Sequence, residues 1–287
     1  MRFETPETID EAVALLAADA GARVLAGGTD LLVRLRAGHV APSAIVDIKH
    51  IKGMNEITAE AGGWRIGAGV PCAVMGEHAG LKADYPGVVE GAELIGSTQV
   101  QGRCTMVGNL CNAGPAGDSV PAMVAAGATV RIAGPNGTRD IPVLEVTTAP
   151  GKTSLAKGEF VTSVFLPERG QKGGDAYLRF IPRTEMDIAV VGCAVNIILA
   201  QDGTVACAGV SLGAVGPKVM LVKEAAEALI GSKCEDTALD ACAVAASAAA
   251  TPIDDKRGTM AFRKDVSGVL ARRAARIAYA RANGEKS

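Results

Sequence analysis

The sequence predicts an α+β protein with two domains. Residues 9–48 alternate between helix and strand signals, residues 167–174 interrupt both periodicities, and two long apolar strands joined at Asp202-Gly203 follow that interruption. A length of 287 residues is itself a soft prior for about two domains. We therefore expect a first domain at residues 1–170 and a smaller one, with an antiparallel sheet and helices, at 175–287.

Capping residues and apolar spacing place the elements of the first domain. Thr8, with Glu11 three residues later, forms a capping box that begins a helix over about 9–19. Thr29 or Asp30 can cap the next helix, which ends near residue 37. The other expected elements are strands at 23–26 and 44–48, a hairpin over 57–66, helices within 71–82 and roughly over 87–96, a helix from Asp118 or Ser119 to about Ala126, and strands at 128–133, 138–143 and 160–166.

In the second domain, strands are expected at 188–200 and 204–212. Helices follow near 219–230, 235–250 and 259–282. The last helix is predicted to have an apolar face with most of its basic residues outside it. The apolar face comprises Phe262, Val266, Val269, Leu270 and Ile277, and the basic residues are Arg263, Lys264, Arg272, Arg273 and Arg276.

Composition excludes several classes of protein. The net charge is −2 and aromatic residues make up only 3%, which argues against a nucleic-acid-binding protein. No uncharged stretch reaches the ~18 residues of a membrane span. The seven cysteines include no Cys-x-x-Cys pair, and the spacing of Cys104 and Cys111 suits neither zinc nor an iron–sulfur cluster. Free thiols and the lack of an apolar signal core after Met1 predict a cytoplasmic protein with no metal site.

The segment Ala26–Asp30 is a first candidate binding loop. A strand, two glycines and a capped helix leave unpaired amide N–H groups, which can hold a phosphate. The segment is neither a P-loop nor a Gly-x-Gly-x-x-Gly fingerprint. A tight turn with a helix cap explains the same residues without a ligand.

A second candidate loop runs from Thr105 to Asp118. We expect an irregular run here, neither a core strand nor an ordinary helix, that wraps a phosphorylated, polyhydroxylated ligand. Asp118 can cap the following helix or accept hydrogen bonds from ligand hydroxyls, and the two roles are compatible. The run supplies glycines and short polar side chains at Thr105, Gly108, Asn109, Asn112, Gly114 and Gly117.

Four segments together resemble the FAD-binding medium subunit of the molybdenum hydroxylases, the carbon monoxide dehydrogenase and xanthine dehydrogenase family. Val24–Leu31 is similar to the first pyrophosphate loop of that family, and 95–109 is similar to its second. Residues 110–121 match the segment that follows. Residues 186–191, with 251–257, are similar to its C-terminal domain.

The resemblance implies a two-lobed, PCMH-type FAD-binding domain, with lobes at about 1–54 and 55–170 and FAD extended between them. It implies that Arg179, where the family usually has lysine, is a cation that tunes the flavin potential. Val107 replaces the first glycine of the usual Thr-x-Gly-Gly-Asn. The implied cofactor-binding residues are Val24, Leu25, Ala26, Gly27, Gly28, Thr29, Asp30, Leu31, Thr105, Val107, Gly108, Asn109, Asp118, Leu166 and Arg179.

The resemblance also implies a role in a complex. The chain would take electrons from the [2Fe–2S] clusters of a small iron–sulfur subunit and pass them to an external acceptor. A large molybdenum-cofactor subunit would oxidise the substrate, and the assembly would be a dimer of heterotrimers. Two alternatives stay open: a self-sufficient FAD-dependent oxidase or reductase, and a non-redox scaffold that has lost FAD, which Val107 and Arg179 motivate.

Overall fold

The computed structural model describes residues 1–60 and 62–285. Its first part contains β1 (Arg2–Glu4), α1 (Ile9–Ala18), β2 (Arg23–Leu25), α2 (Leu31–Arg36), β3 (Ala44–Asp47), β4 (Ile57–Glu60), β5 (Gly63–Gly67), α3 (Cys72–Glu77), α4 (Ala79–Asp84), α5 (Pro86–Glu93), α6 (Thr98–Gln101), α7 (Met106–Cys111), α8 (Ser119–Ala125), β6 (Thr129–Gly134), β7 (Gly137–Pro142), α9 (Val143–Val146), β8 (Thr147–Ala149), β9 (Lys152–Thr153) and β10 (Phe160–Pro167). Its second part contains β11 (Gly173–Phe180), β12 (Val191–Leu199), β13 (Val205–Gly213), β14 (Met220–Leu221), α10 (Lys223–Glu227), α11 (Asp236–Ala249) and α12 (Met260–Ala282).

A small parallel sheet opens the chain, in the order β1-β3-β2. The predicted N-cap is confirmed, because the side chain of Thr8 accepts a hydrogen bond from the Glu11 amide at the start of α1. The reciprocal bond of the capping box is displaced by one residue, since the Glu11 carboxylate accepts from the Glu7 amide. The central strand, β3, is fully buried. Strand β2 lies beside β3, with Leu25 opposite Asp47, so the chain leaves this sheet at Ala26 and begins the first candidate loop there.

A five-stranded antiparallel sheet comes next in the chain, in the order β4-β5-β10-β6-β7. Strand β10 is central and almost entirely buried, which agrees with its mainly apolar sequence. The helix expected within 71–82 is two helices, α3 and α4, because His78 ends one and caps the other: its Nδ1 accepts the Leu81 amide at 3.0 Å.

The third sheet is antiparallel, in the order β11-β12-β13-β14, and α11 and α12 pack on it. Two predictions here need correction. Strand β11 was not predicted, because its glycines and charged residues interrupt the apolar alternation. The expected helix near 219–230 is a short strand, β14, followed by α10.

The buried face of α12 differs from the predicted apolar face. Phe262 and Val269 are 41% and 46% exposed, whereas Arg263 is buried. The buried positions are mainly small residues: Ser267, Gly268, Ala271, Ala274, Ala275, Ala278 and Ala282, with Leu270. Small side chains let the helix lie close to the sheet; a Cβ on Gly174 of β11 would be 2.2 Å from the Ala278 carbonyl oxygen.

The third sheet is tied to the first part of the chain by buried polar contacts. The Val88 amide donates to Asp175 Oδ2 at 3.0 Å, and the Ser211 hydroxyl donates to the Pro121 carbonyl at 2.6 Å. A Cβ on Gly209 would be 2.3 Å from the Ala125 carbonyl oxygen, so β13 touches α8 directly. These contacts fix α8, and with it the segment around Asp118, against the third sheet.

Within residues 1–60 and 62–285, we find no helix with the length and hydropathy needed to cross a membrane.

Candidate functional site

The first candidate loop, Ala26–Asp30, connects β2 to α2. Gly28 has φ +78°, a conformation that favours glycine. The ammonium of Lys49 donates to the Ala26 carbonyl at 2.9 Å, which anchors the start of the loop. Asp30 occupies the N-cap position of α2 but makes no side-chain capping bond, and burial raises the pKa of its carboxyl.

The second candidate loop contains a helical turn, contrary to the expected irregular run. Helix α7 begins after Thr105, whose Oγ1 accepts the Gly108 amide at 2.9 Å. Val107 lies within this helix, so its Cβ is compatible with the backbone that replaces the double glycine. The Asn109 side chain accepts from the Ser119 hydroxyl at 2.9 Å, which joins α7 to the start of α8.

The first loop contacts, through backbone, the two residues that directly precede the second loop. A Cβ added to Gly27 would lie 1.9 Å from the carbonyl oxygen of Arg103 and 3.0 Å from the Cα of Cys104. Residue 27 follows β2 of the three-stranded sheet, residues 103–104 follow α6, and only a residue without a side chain permits this approach. The second loop begins at Thr105, directly after the contact.

The contact borders a cavity of about 460 Å³ that both loops line. A volume of this size is typical of a small-molecule site. The cavity contains most of the predicted site residues: Val24, Ala26, Gly27, Gly28, Thr29, Asp30, Leu31, Thr105, Val107, Gly108 and Asn109. Leu25 instead lines a second cavity of about 750 Å³, on the other side of the first loop.

Asp118 and Arg179 line neither cavity; they form a buried ion pair. Arg179 Nη1 lies 2.8 Å from Asp118 Oδ2, and the Tyr177 hydroxyl donates to Asp118 Oδ1 at 3.0 Å. Asp118 makes no capping bond with α8. Burial raises the pKa of its carboxyl to about 6, and the positive charge of Arg179 opposes that rise.

Arg179 is nevertheless linked to the wall of the first cavity by a hydrogen bond to the residue before Ile95. Its Nη1 also donates to the Leu94 carbonyl at 2.8 Å, and the next residue, Ile95, lines the cavity. Leu166 is fully buried and lies opposite Trp64 in the sheet, away from both cavities. The assignment of Asp118, Leu166 and Arg179 to FAD binding stays a prediction.

Several cavity residues were not predicted from the sequence. Arg23 and Arg34 flank the first loop and add positive charge to the cavity wall. Phe160 and Val161, the first two residues of β10, also line the cavity, as does Glu159 directly before them. Arg23 and Arg34 could have been predicted, because they are basic residues on either side of the glycine turn.

Among residues 1–60 and 62–285, no three His, Cys, Asp or Glu side chains are grouped so that they could hold a metal ion.

Two protein-family models match the chain. Residues 1–169 match the FAD binding domain in molybdopterin dehydrogenase, and residues 176–278 match the CO dehydrogenase flavoprotein C-terminal domain. The carbon monoxide dehydrogenase medium chain of Hydrogenophaga pseudoflava is 30% identical over 98% of each chain. The xanthine dehydrogenase FAD-binding subunit of Escherichia coli O157:H7 is 28% identical over 99% of this chain and 97% of that protein.

The fold agrees with solved structures of the same kind. A chain of carbon monoxide dehydrogenase from Oligotropha carboxidovorans superposes with a TM-score of 0.92, at 29% identity over 98% of both chains. A chain of quinoline 2-oxidoreductase from Pseudomonas putida gives 0.89 at 25% identity over 98% of both chains. The predicted family and the α+β fold are therefore confirmed. The chain belongs to the family of FAD-binding flavoprotein subunits of the molybdenum-hydroxylase type of oxidoreductase.

Proposed function

We propose that this chain is the electron-transfer subunit of a molybdenum hydroxylase complex and holds FAD in the 460 Å³ cavity between its two loops. In this proposal the chain receives electrons from [2Fe–2S] clusters of a small partner and passes them to an external acceptor. The observation that supports the binding site most strongly is the Gly27–Arg103 contact, which brings both loops to one cavity wall.

The cavity fits the diphosphate of a dinucleotide. The amide N–H groups of Gly27, Gly28 and Thr29 donate to no protein acceptor among residues 1–60 and 62–285. The same is true of the Val107 amide in the first turn of α7. Backbone donors need a partner, and phosphate oxygens are strong acceptors. The four donors line a cavity that Arg23 makes more positive.

The chain's own residues bind and orient the FAD. FAD, when bound, would supply the chemistry of accepting and releasing electrons. The first loop is fixed by Lys49 through the Ala26 carbonyl, and the second by the Thr105 cap. Both anchors hold amide donors in position before a ligand arrives, which lowers the entropic cost of binding.

We propose that Asp118 and Arg179 shape the cavity wall from behind. Arg179 holds the carbonyl of Leu94, and Ile95 follows it on the wall. Because Asp118 neutralises Arg179, the field of the guanidinium at the cavity is reduced. A change in either side chain should therefore alter the electrostatic potential that a bound flavin experiences.

The partners in the proposal follow from the relatives. These include proteins named carbon monoxide dehydrogenase medium chain and glyceraldehyde dehydrogenase medium chain, names that place them in multi-subunit enzymes. We propose a small iron–sulfur subunit and a large molybdenum-cofactor subunit, arranged as a dimer of heterotrimers in the cytoplasm. All seven cysteines are free thiols, which supports a reducing compartment.

Two measurements test this proposal. The full chain is purified and its visible absorption recorded with and without added FAD; the proposal predicts a flavin spectrum with one FAD per chain. Tagged chain is then isolated from its native host and its co-purifying subunits identified. Recovery of an iron–sulfur and a molybdenum subunit supports the electron-transfer role, whereas substrate oxidation by the isolated flavoprotein would favour a self-sufficient oxidase or reductase.

A further inference from the structure

Two cysteines lie in contact beside the candidate site. Cys72 is the first residue of α3, and its amide donates to the carbonyl of Cys104 at 2.9 Å. Standard bond lengths then limit the separation of the two Cα atoms to about 6.8 Å, within the range that a disulfide spans. Their side chains also influence each other, since Cys104 is the largest single cause of the shifted pKa of Cys72, and Cys72 is the largest cause of that of Cys104.

Cys104 stands where the two loops meet. It precedes Thr105, the cap of α7. The Cα of Cys104 would also lie 3.0 Å from a Cβ on Gly27. Cys104 also lines the 460 Å³ cavity, whereas Cys72 lines neither cavity and is buried. A small oxidant that enters the cavity therefore reaches Cys104 first, with Cys72 directly behind it.

The pair differs in acidity. The neighbouring Cys104 side chain, and after it burial, raise the pKa of Cys72, so Cys72 keeps its proton. The neighbouring Cys72 side chain lowers the pKa of Cys104. The thiolate, which is the reactive form, therefore develops on the cysteine that faces the cavity.

We propose that Cys72 and Cys104 form a peroxide-oxidisable dithiol site at the junction of the two loops. The Cys104 thiolate attacks one oxygen of hydrogen peroxide, the O–O bond breaks, and sulfenic acid and hydroxide form. The Cys72 thiol then attacks the Cys104 sulfur, water leaves, and a disulfide forms. In total, two thiols and one peroxide give one disulfide and two waters.

A ligand in the cavity should shield this site. FAD held against Thr105 and Gly27 would cover Cys104 and close the route to it; this consequence rests on the proposed function, whereas disulfide formation does not. At a FAD concentration ten times its Kd, about one site in ten is open, so oxidation should slow about tenfold.

The test treats the full chain with hydrogen peroxide, with and without FAD, and maps the disulfide by mass spectrometry without reduction. Trypsin releases Cys72 in residues 66–82 and Cys104 in residues 104–131, a peptide that also contains Cys111. The experiment therefore uses Cys111→Ser as its background. Cys72→Ser in that background is the matched control, in which dimedone should trap Cys104 as sulfenic acid.

The expected result is a 66–82/104–131 crosslink in the Cys111→Ser background, about tenfold slower with FAD, and none with Cys72→Ser. Cys193 and Cys242, which are buried and line neither cavity, should stay reduced under the same conditions. Absence of the crosslink in folded protein, with Cys104 unmodified by dimedone, overturns the proposal. Flavin absorbance in the same samples reports FAD binding independently, so failure of the FAD site is distinguished from failure of the dithiol.

Discussion

The carbonyl oxygen of Arg103 lies 1.9 Å from the position that a Cβ on Gly27 would occupy. A side chain at residue 27 would therefore separate the first loop from the start of the second. The two glycine-bearing segments are far apart in sequence, and this contact lies where they meet at one cavity.

Gly27→Ala should weaken FAD binding at least about tenfold, because the added methyl would clash with the Arg103 carbonyl and force the two segments apart. Gly102→Ala is the matched control: nothing lies within 4 Å of a Cβ at Gly102, and its φ is −67°. FAD dissociation constants of the two variants, from flavin fluorescence titration, check this. Equal affinities would show that the loop contact has no part in binding.

Thr105→Val should destabilise the protein by about 1 kcal/mol, because it removes the side-chain acceptor of the Gly108 amide. FAD affinity should fall as well, since α7 presents Val107 and Asn109 to the cavity. Thr105→Ser keeps the acceptor and should restore both quantities. Urea unfolding and fluorescence titration measure them; a serine variant as weak as the valine variant would contradict the capping role.

Asp118 should make stability depend on pH between about 4 and 6. Its folded pKa of about 6 lies above the ordinary 3.8, so in this window the folded state binds more protons than the unfolded state. Stability from this group is therefore lost as pH rises, by up to about 3 kcal/mol across the window. Asp118→Asn cannot titrate, so the unfolding free energy of wild type minus variant should fall from pH 4 to 6. A difference that rises with pH would contradict this assignment.

Arg179→Gln should make the FAD midpoint potential more negative, because a positive charge near the reduced flavin is lost. Asp118→Asn should shift the potential the opposite way, because it leaves the Arg179 charge unneutralised. Arg179→Lys should retain most of the wild-type potential. Spectroscopic redox titration of the three FAD-loaded variants tests the pair, and an unchanged potential in Arg179→Gln and Asp118→Asn alike would exclude the tuning role.

Much of the site could be predicted from local sequence. Ala26–Asp30 follows a strand and begins a helix, so glycine turns and capping residues were enough to propose amide donors there. Thr105 was likewise identifiable as a short polar residue before an apolar pair. What these patterns lacked was the distance between the loops, which depends on how β2 and the segment after α6 pack together.

The remaining features depend on tertiary contacts. The partner of Asp118 is Arg179, 61 residues away, and only the packing of β11 against α8 brings them together. The buried face of α12 was mispredicted because alanine is only weakly hydrophobic and does not stand out in the pattern. The alanines are buried because the helix lies close to the sheet, where larger side chains would not fit. Arg263 is buried among backbone acceptors, with its Nη1 3.0 Å from the Val190 carbonyl.

Titration of FAD into flavin-free chain, followed by absorbance and fluorescence in the same cuvette, decides whether the two loops form one cofactor site. We expect saturation at one FAD per chain, with the flavin retained through gel filtration. A folded protein that stays colourless and quenches no flavin fluorescence would contradict a single cofactor site formed jointly by the two loops.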